Sequence, residues 1–296
     1  MRGTQAKGLA RLRSRDRVGL ASNGRNDRMA PVLGIVSGKG GVGKSTLAIN
    51  VATAASQSGA RVLLIDGDIG LANTDLLMGM VPACDLTDWS EGRIPLSEAV
   101  CRGPSGLQVL ISGKRGHVAD RLRGAIMGTQ TGELQDLIAS QDLTILDLGA
   151  GIGDRVLGLA SACDLIWLVG TPEPTSLADA YAMMKKLWRG SPRHRIELVI
   201  NRVRDVADGR RTHQALARLA QRFLSQVLPL RTVLPEDAAM VRSVARQSPL
   251  VLDEPNSPAA RRLRFLAESL QGERSRTPSI PPANDASASI GPPLSS

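Results

Sequence analysis

The sequence is poor in aromatic residues and in cysteine. Among its 296 residues there are two Phe, three Trp, one Tyr and three Cys. So few rings exclude an RRM-like or single-strand-binding surface, because such surfaces stack several bases on exposed aromatic side chains. Cys84, Cys101 and Cys163 are far apart and form no C-x-x-C pair. This spacing excludes a disulfide framework and a zinc or iron–sulfur ligand set, and it favours a reducing compartment.

Long apolar segments are also missing. No stretch reaches the roughly 18 uninterrupted apolar residues that a membrane-spanning helix needs, and no apolar stretch of a signal peptide follows the basic N-terminus. The hydrophobic share of 42% is nevertheless enough to build a sizeable core. We therefore expect a folded cytoplasmic protein.

Positive charge is concentrated at the amino end. Residues 1–30 carry eight Lys or Arg against two Asp, which accounts for six of the nine net positive charges. Residues 272–296 contain five Pro and six Ser, a composition that cannot bury enough surface to repay the entropy of ordering. We expect a flexible basic arm over residues 1–30, one folded domain over residues 31–271 and a disordered tail over residues 272–296.

Short apolar runs alternate with segments of helical periodicity between these ends. The runs that are apolar on both faces predict buried strands at Val32–Val36, Val62–Ile65, Leu107–Ile111, Leu143–Leu146, Leu165–Val169, Ile196–Ile200 and Thr232–Leu234. Helical spacing predicts helices that include Ser45–Ser58, Thr131–Ala139, Ser176–Arg189, Thr212–Leu224 and Ala238–Gln247. This alternation is typical of an α/β domain with a mostly parallel, twisted sheet and helices on both faces.

A glycine-rich segment joins the first predicted strand to the first predicted helix. Its residues Gly38 to Ser45 fit the pattern G-x-x-x-x-G-K-[ST]. Glycines let backbone N–H groups surround phosphate oxygens, Lys44 offers a positive charge to the terminal phosphates, and the Ser45 hydroxyl can bind Mg²⁺. The position between strand and helix favours a phosphate-binding loop over a glycine-rich turn without a ligand.

Acidic residues follow two of the predicted strands. Asp66 and Asp68 come directly after Val62–Ile65, and Asp147 directly follows Leu143–Leu146. The carboxyl ends of strands are where α/β proteins bind ligands, and phosphoryl transfer to water needs a held Mg²⁺ and a positioned water. These carboxylates therefore predict the metal and water side of the site. Aspartates that only cap a loop are the alternative for the first pair.

The glycine-rich segment contains a second lysine, Lys39. The octet G-K-G-G-x-G-K-[ST] resembles that of the deviant Walker A ATPases, the MinD/ParA class. The resemblance implies a P-loop NTPase fold, ATP and Mg²⁺ as cofactors, ATP hydrolysis at low turnover and a homodimer that forms with ATP. It also implies that Lys39 reaches across that dimer to the partner's phosphates. Local positive potential alone is the alternative for this lysine.

The same resemblance assigns roles to individual residues. It places Asp68 at the attacking water and makes Lys39 and Lys44 catalytic. The metal-binding residues that it implies are Ser45, Asp66 and Asp147. The nucleotide-binding residues that it implies are Gly38, Lys39, Gly40, Gly41, Val42, Gly43, Lys44, Ser45 and Thr46. Adenine contacts are expected from residues that are otherwise ordinary strand-end turns, namely Asn201, Arg202, Pro235, Glu236 and Asp237.

Three longer segments narrow the resemblance. Asp66–Asp75, Asp147–Ile152 and above all Thr171–Ala182 resemble the flagellar-number regulators of the MinD class, the FlhG/FleN type. This implies an ATP-dependent switch that regulates flagellar number or placement, with flagellar regulators or basal-body components as partners. The alternative is a ParA-like partition or cargo-positioning ATPase that binds DNA, because residues 185–222 contain eleven Lys or Arg.

The basic arm contains a further short similarity. Gln5–Leu9 resembles the D-Q-A-x-x-L-R element with which such regulators stimulate an SRP-like GTPase of the FlhF type. Thr4 stands where that element has Asp, and Ala10 stands where it has Arg. The resemblance implies a GTPase contact through residues 1–12. A solvated basic arm, or a start codon placed ahead of Met29, is the alternative.

The last helical pattern, Ala259–Leu270, raises the question of a membrane contact. Relatives often end in a short amphipathic helix that binds lipid. Here Leu263, Leu266 and Leu270 share one face, with arginines nearby, but a Pro/Ser-rich segment follows. We therefore expect a helix that closes the domain, and weak or absent binding at the inner face of the membrane.

Overall fold

The computed structural model of the chain describes residues 31–70, 72–113, 117–130 and 132–274. The predicted arm, with its partner contact through residues 1–12, lies outside the described residues, and so do residues 275–296 of the predicted tail.

Within the described residues, eight strands form one sheet with the order β3-β4-β2-β5-β1-β6-β7-β8. The strands are β1 Val32–Ser37, β2 Val62–Gly67, β3 Val100–Arg102, β4 Gln108–Leu110, β5 Leu143–Ala150, β6 Leu165–Gly170, β7 Arg195–Val203 and β8 Leu230–Pro235. All neighbouring pairs are parallel except β3 and β4. The predicted parallel sheet is confirmed, with the antiparallel edge strand β3 as an addition.

The helices of the described part cover both faces of this sheet. In chain order they are α1 Lys44–Gln57, α2 Thr74–Leu77, α3 Leu86–Ser90, α4 Leu96–Ala99, α5 His117–Met127, α6 Glu133–Ser140, α7 Asp154–Ala160, α8 Pro174–Gly190, α9 Val206–Leu224, α10 Ala238–Ala245, α11 Leu250–Asp253 and α12 Pro258–Arg274. A short 3₁₀ turn occupies Pro104–Gly106.

Two apolar clusters, one on each face, hold the sheet. Alternate residues of β1 enter different clusters: Val32 and Val36 belong to one, Leu33 and Ile35 to the other. The first cluster takes side chains from helices α5 to α9, and the second from α1 and α10 to α12. Strands β1, β2 and β6 are buried along their whole length. This burial explains their continuous apolar sequence.

The last helix, α12, packs against α1. Its residues Leu263, Leu266 and Leu270 are buried in the second cluster, and the Gln271 side-chain amide donates a hydrogen bond to the Ala55 carbonyl (3.2 Å). These contacts are those of a helix that closes the domain. None of the described helices combines the length and the apolar character that a membrane-spanning helix requires.

Candidate nucleotide-binding site

The glycine-rich loop leaves β1 at its carboxyl end and turns directly into α1. Gly43, which precedes the helix, has φ +91°, a conformation that side-chain-bearing residues rarely adopt. A Cβ on Gly38 would lie 2.3 Å from the Asp179 carbonyl oxygen of α8. The hydroxyl of Ser37 donates to the carbonyl of Lys39 (2.7 Å) and fixes the start of the loop. Both glycines are therefore required by the loop's shape and its close packing.

The amino end of α1 is open to an anion. Gly43, the residue before the helix, has no side chain that could cap the N–H groups of the first turn. Those N–H groups, together with the helix dipole, favour negative charge at this point. Lys44 is only 7% exposed, and Thr46 turns its hydroxyl back to the Gly43 carbonyl (2.9 Å). The start of α1 thus combines N–H groups that no side chain caps with a nearly buried lysine, as phosphate binding requires.

Two carboxylates lie side by side at the same edge of the sheet. Asp66 and Asp147 are register partners on the neighbouring strands β2 and β5. The carboxylate of Asp66 accepts hydrogen bonds from three backbone N–H groups, those of Asp68 (2.9 Å), Asn73 (3.1 Å) and Thr74 (3.1 Å). Burial raises the pKa of Asp66, and these hydrogen bonds oppose the rise. Asp66 therefore shapes the loop that follows β2.

Asp147 lacks such partners. It is 2% exposed, and its Oδ1 has no hydrogen-bond donor in the described part of the chain. Burial, followed by the charge of Asp66, raises the pKa of Asp147 to about 7, while Ser45 and Lys44 lower it. An unsatisfied buried carboxylate oxygen carries a large desolvation cost unless a cation or proton faces it.

These donors fit Mg²⁺. The Asp147 carboxylate and the Ser45 hydroxyl are oxygen ligands, which Mg²⁺ prefers, and the orphaned Oδ1 is available to it. In residues 31–274, leaving aside the undescribed positions, no group of three or more His, Cys, Asp or Glu side chains could hold a metal ion. Mg²⁺ usually keeps several waters and substrate phosphate oxygens and needs only one or two carboxylates. The site therefore suits Mg²⁺ bound together with a nucleotide.

Asp68 lies over the end of β5. A Cβ added at Gly149 would stand 2.9 Å from Asp68 Oδ1, so the carboxylate passes directly above this glycine. The segment after β5 is thus in contact with the segment after β2. This contact brings Asp68 to the same edge as the glycine-rich loop and the two buried aspartates.

Lys39 is bound within its own chain. Its ammonium group donates to Glu173 Oε2 (2.8 Å) and to Thr175 Oγ1 (3.2 Å), both at the start of α8. The lysine lowers the pKa of Glu173 through this hydrogen bond and its charge. The Lys39 side chain is 41% exposed. Glu173 was not predicted as a site residue, although it lies within the segment Thr171–Ala182 that carries the resemblance.

The residues expected at the adenine lie beside the loop. The Asn201 side-chain amide donates to the Val42 carbonyl (2.8 Å), and Arg202 donates to the Gly41 carbonyl (3.4 Å). Arg202 also lies 3.6 Å from Glu236, which follows Pro235 at the end of β8.

Asp237, the fifth of these residues, has contacts of a different kind. Its carboxylate accepts hydrogen bonds from the backbone N–H groups of Ala239 (2.9 Å) and Ala259 (3.1 Å), so it caps α10 and ties α12 to it. This cap makes a structural contribution whatever else the residue contacts.

A glycine-rich loop at a helix amino end, a nearly buried lysine and a metal-suited aspartate define a P-loop nucleotide-binding protein. Comparisons with known proteins agree. Residues 33–250 match the family described as CobQ/CobB/MinD/ParA nucleotide binding domain. The chain is 32% identical over 243 residues to the antiactivator FleN of Pseudomonas aeruginosa, a match that covers 81% of this chain and 85% of that protein.

Two further proteins extend the comparison. The flagellum site-determining protein YlxH of Helicobacter pylori is 32% identical over 196 residues, 66% of each chain. The solved structure of the septum site-determining protein MinD from Pyrococcus horikoshii, complexed with Mg-ADP, has a TM-score of 0.67 and 26% identity. It covers 82% of this chain and 96% of that one. The chain therefore belongs to the CobQ/CobB/MinD/ParA family and is a MinD/ParA-type ATPase, which confirms the class predicted from the sequence.

Proposed function

We propose that this protein is an ATP-dependent, dimerising switch that regulates flagellar number or placement. The observation that carries the proposal is the complete P-loop with its exposed second lysine, in a chain whose relatives include proteins named antiactivator FleN and flagellum site-determining protein YlxH. The monomer and the ATP-bound dimer are the two states of the switch. Partners distinguish between these states.

The residues of the loop divide the work of binding. Lys44 and the N–H groups of Gly38 to Thr46 offset the charge of the phosphates, and Ser45 and Asp147 hold Mg²⁺, with Asp66 behind them. When bound, Mg²⁺ neutralises charge on the phosphate oxygens. Asp68 accepts a hydrogen bond from the attacking water and orients it. Hydrolysis is slow, and its function is to end the dimeric state.

Dimerisation depends on Lys39 in this proposal. Its contacts with Glu173 and Thr175 are on the protein surface, so solvent screens the ion pair and little stability is lost when it opens. The freed ammonium group then reaches the phosphates of the second protomer. ATP thereby becomes part of the interface.

The proposed partners follow from the same class. An SRP-like GTPase of the FlhF type contacts residues 1–12, and flagellar regulators or basal-body components bind the dimer. The protein acts in the cytoplasm, and its contact with the inner face of the membrane is weak or absent, because the leucines of α12 are buried.

A DNA-binding partition or cargo-positioning ATPase is the second candidate. Exposed arginines on α9 favour it, namely Arg210, Arg211, Arg218 and Arg222. Such a surface would hold DNA phosphates through release of counterions.

One series of measurements tests the two candidates. The purified protein with ATP and Mg²⁺ is mixed separately with the SRP-like GTPase, with nonspecific duplex DNA and with anionic liposomes, and the Lys44→Ala variant is the nucleotide-free control. The proposal predicts ATP-dependent stimulation of the GTPase and little binding to DNA or liposomes. DNA binding that falls steeply with salt and needs the α9 arginines contradicts it and supports the second candidate.

A further inference from the structure

A cleft of about 260 Å³ lies beside the nucleotide site, on the other side of the segment that follows β2. Its walls are Gly70, Ala72 and Asp75 from that segment, Pro82 to Asp85 before α3, and Ile111 to Gly113 after β4. The backbone N–H groups of Asn73 and Thr74, within the first wall, are bound by Asp66. The cleft thus shares one wall with the nucleotide site.

The cleft is acidic, and part of its hydrogen-bonding capacity is unused. Asp88 is already paired with Arg93 (2.5 Å), and Asp85 Oδ1 accepts the N–H groups of Thr87 and Asp88. Within the described ranges, Asp85 Oδ2 and the Asp75 carboxylate accept no hydrogen bond. The lining residues of the described part include no Lys or Arg.

Ser112 supplies an independent observation. This lining residue is 3% exposed, and its Oγ has no hydrogen-bond partner in the described structure. A buried hydroxyl without a partner carries a free-energy cost, which a ligand with donors to share would remove.

The chemistry of these groups selects a guanidinium ion. A bare metal ion is a poor match, because no group of three metal-binding side chains occurs in the described part of the chain and the cleft is much larger than an ion. Two carboxylates and a hydroxyl instead offer several acceptors in different directions. Arginine has five N–H donors in a planar arrangement and pairs well with carboxylates.

The chain itself carries a matching segment. Four arginines at every second position, Arg11, Arg13, Arg15 and Arg17, lie in the basic arm that precedes Pro31. In an extended backbone, residues two apart point to the same side, so this spacing presents a row of guanidinium groups. We infer that this segment, residues 11–17, docks in the acidic cleft of its own chain and inserts one arginine between Asp75, Asp85 and Ser112.

The length of the arm permits this contact. The Pro31 carbonyl accepts the N–H of Thr144, which places Pro31 at the amino ends of the strands, whereas the cleft lies beyond the carboxyl end of β4. β5 and β2 separate β1 from β4. The path from Pro31 to the cleft therefore covers roughly 20 Å along the strands and about 15 Å across them. Arg17 is separated from Pro31 by enough chain to extend to roughly 45 Å, whereas Arg28 reaches only about 10 Å.

Cys84 in the cleft wall allows a direct test in the full chain. A Ser14→Cys substitution places a thiol among the four arginines, and a Cys101→Ser background removes the other partly exposed thiol. A short bismaleimide then joins the introduced thiol to Cys84 when the two are close, and the yield is measured by peptide mass spectrometry relative to simple alkylation of Cys84. Thr4→Cys is the matched control in the same arm.

Docking and random tethering predict different yields. A flexible tether alone favours position 14 over position 4 by only about twofold, because effective concentration falls roughly as the −3/2 power of tether length, whereas docking predicts at least about tenfold. Asp75→Asn, and separately replacement of the four arginines by Gln, should reduce the yield at position 14 to the tethered level. Asp136→Asn, an exposed acid on α6, should leave it unchanged.

Three results would overturn the inference. The first is a yield at position 14 within twofold of that at position 4. The second is a high yield that survives Asp75→Asn, which means that another contact holds the arm. The third is cross-linking mainly between two chains, seen as a covalent dimer whose yield falls when the reaction is run at lower protein concentration, which assigns the cleft to the arm of a second copy. Circular dichroism of each variant confirms that loss of cross-linking does not come from unfolding.

Discussion

At the scale of single residues, the site contrasts two buried carboxylates on neighbouring strands. Asp66 is satisfied by three backbone N–H groups, whereas Asp147 leaves one oxygen without a donor in the described residues. Placing both charges in a buried position raises both pKa values. A cation near Asp147 would offset the free-energy cost of burying this charged carboxylate. Its positive charge would replace the lost hydration and counter the repulsion from Asp66.

Lys44 provides the first prediction at this scale. Lys44→Ala should weaken ATP binding by roughly 10- to 100-fold or more, because a hydrogen bond to a charged group contributes about 1.5–3 kcal/mol. Titration calorimetry with ATP and Mg²⁺ measures the change. Lys185→Ala on α8 removes the same charge outside the loop and should retain wild-type affinity. Unchanged affinity in Lys44→Ala would contradict the assignment of the site.

Gly149 provides a second prediction, which depends on a contact seen only in the structure. Gly149→Ala places a methyl group 2.9 Å from Asp68 Oδ1 and must displace that carboxylate. ATP binding should persist, while hydrolysis falls about tenfold or more, because a displaced Asp68 loses part of the roughly 10²–10⁴-fold that a positioned proton-transfer group contributes. Steady-state phosphate release measures this, with Gly153→Ala, which meets no atom within 4 Å, as the control.

A double-mutant comparison makes this test specific. If Gly149→Ala acts through Asp68, it should cost little further activity in an Asp68→Ala background, because coupled residues are not additive. Equal losses in both backgrounds would mean that Gly149 acts by another route.

The common location of the loop and the three aspartates at one edge of the sheet could be inferred from the sequence, whereas their contacts could not. Gly38 to Ser45 and Asp147 follow strands in a fixed order, so their common edge can be inferred from the topology of a parallel sheet. The anchoring of Lys39 by Glu173 joins residues 134 positions apart, and no local pattern encodes such a pair. The contact of Asp237 with the Ala259 N–H group likewise depends on α12, which lies 22 residues further along the chain.

At the scale of elements, the strands that are buried on both faces were predicted most accurately from the sequence. Strands with continuous β-branched and aliphatic runs were predicted to within one or two residues at most ends, because both faces are covered. The three-residue strand β3 and the seven-residue helix α7 were not named from the sequence, since such short segments span fewer than two periods of their pattern. The eleven-residue helix α5 was not named either. Helix α9 begins six residues before the predicted Thr212, because Asp205 caps it by accepting the N–H of Asp208 (2.7 Å).

Helix α12 allows a prediction about stability. Leu263→Ala should lower the free energy of unfolding by about 2–5 kcal/mol, as for other buried leucines whose removal leaves a cavity. Phe265→Ala on the same helix removes a side chain that is 69% exposed and should change stability little. Urea denaturation followed by circular dichroism compares the two. A larger loss for Phe265→Ala would reverse the orientation described for this helix.

At the scale of the whole molecule, Lys39 connects the fold of one chain to the proposed dimer. Binding to Glu173 and Thr175 leaves the lysine on the surface beside the loop. Solvent screens this exposed ion pair, whereas an ammonium group enclosed against phosphates in an interface is screened much less. In the proposed dimer, exchange of the first contact for the second therefore favours association only when ATP is present.

Lys39→Ala tests this exchange. The variant should bind ATP as a monomer with affinity close to wild type, because Lys44 and the loop N–H groups remain, but it should not dimerise with ATP. Light scattering with and without ATP and Mg²⁺ measures the mass, at a protein concentration where the wild type dimerises. Lys185→Ala removes the same charge and should still dimerise. An ATP-dependent dimer of Lys39→Ala would mean that this lysine only adds local positive potential, and that the two chains meet through other contacts.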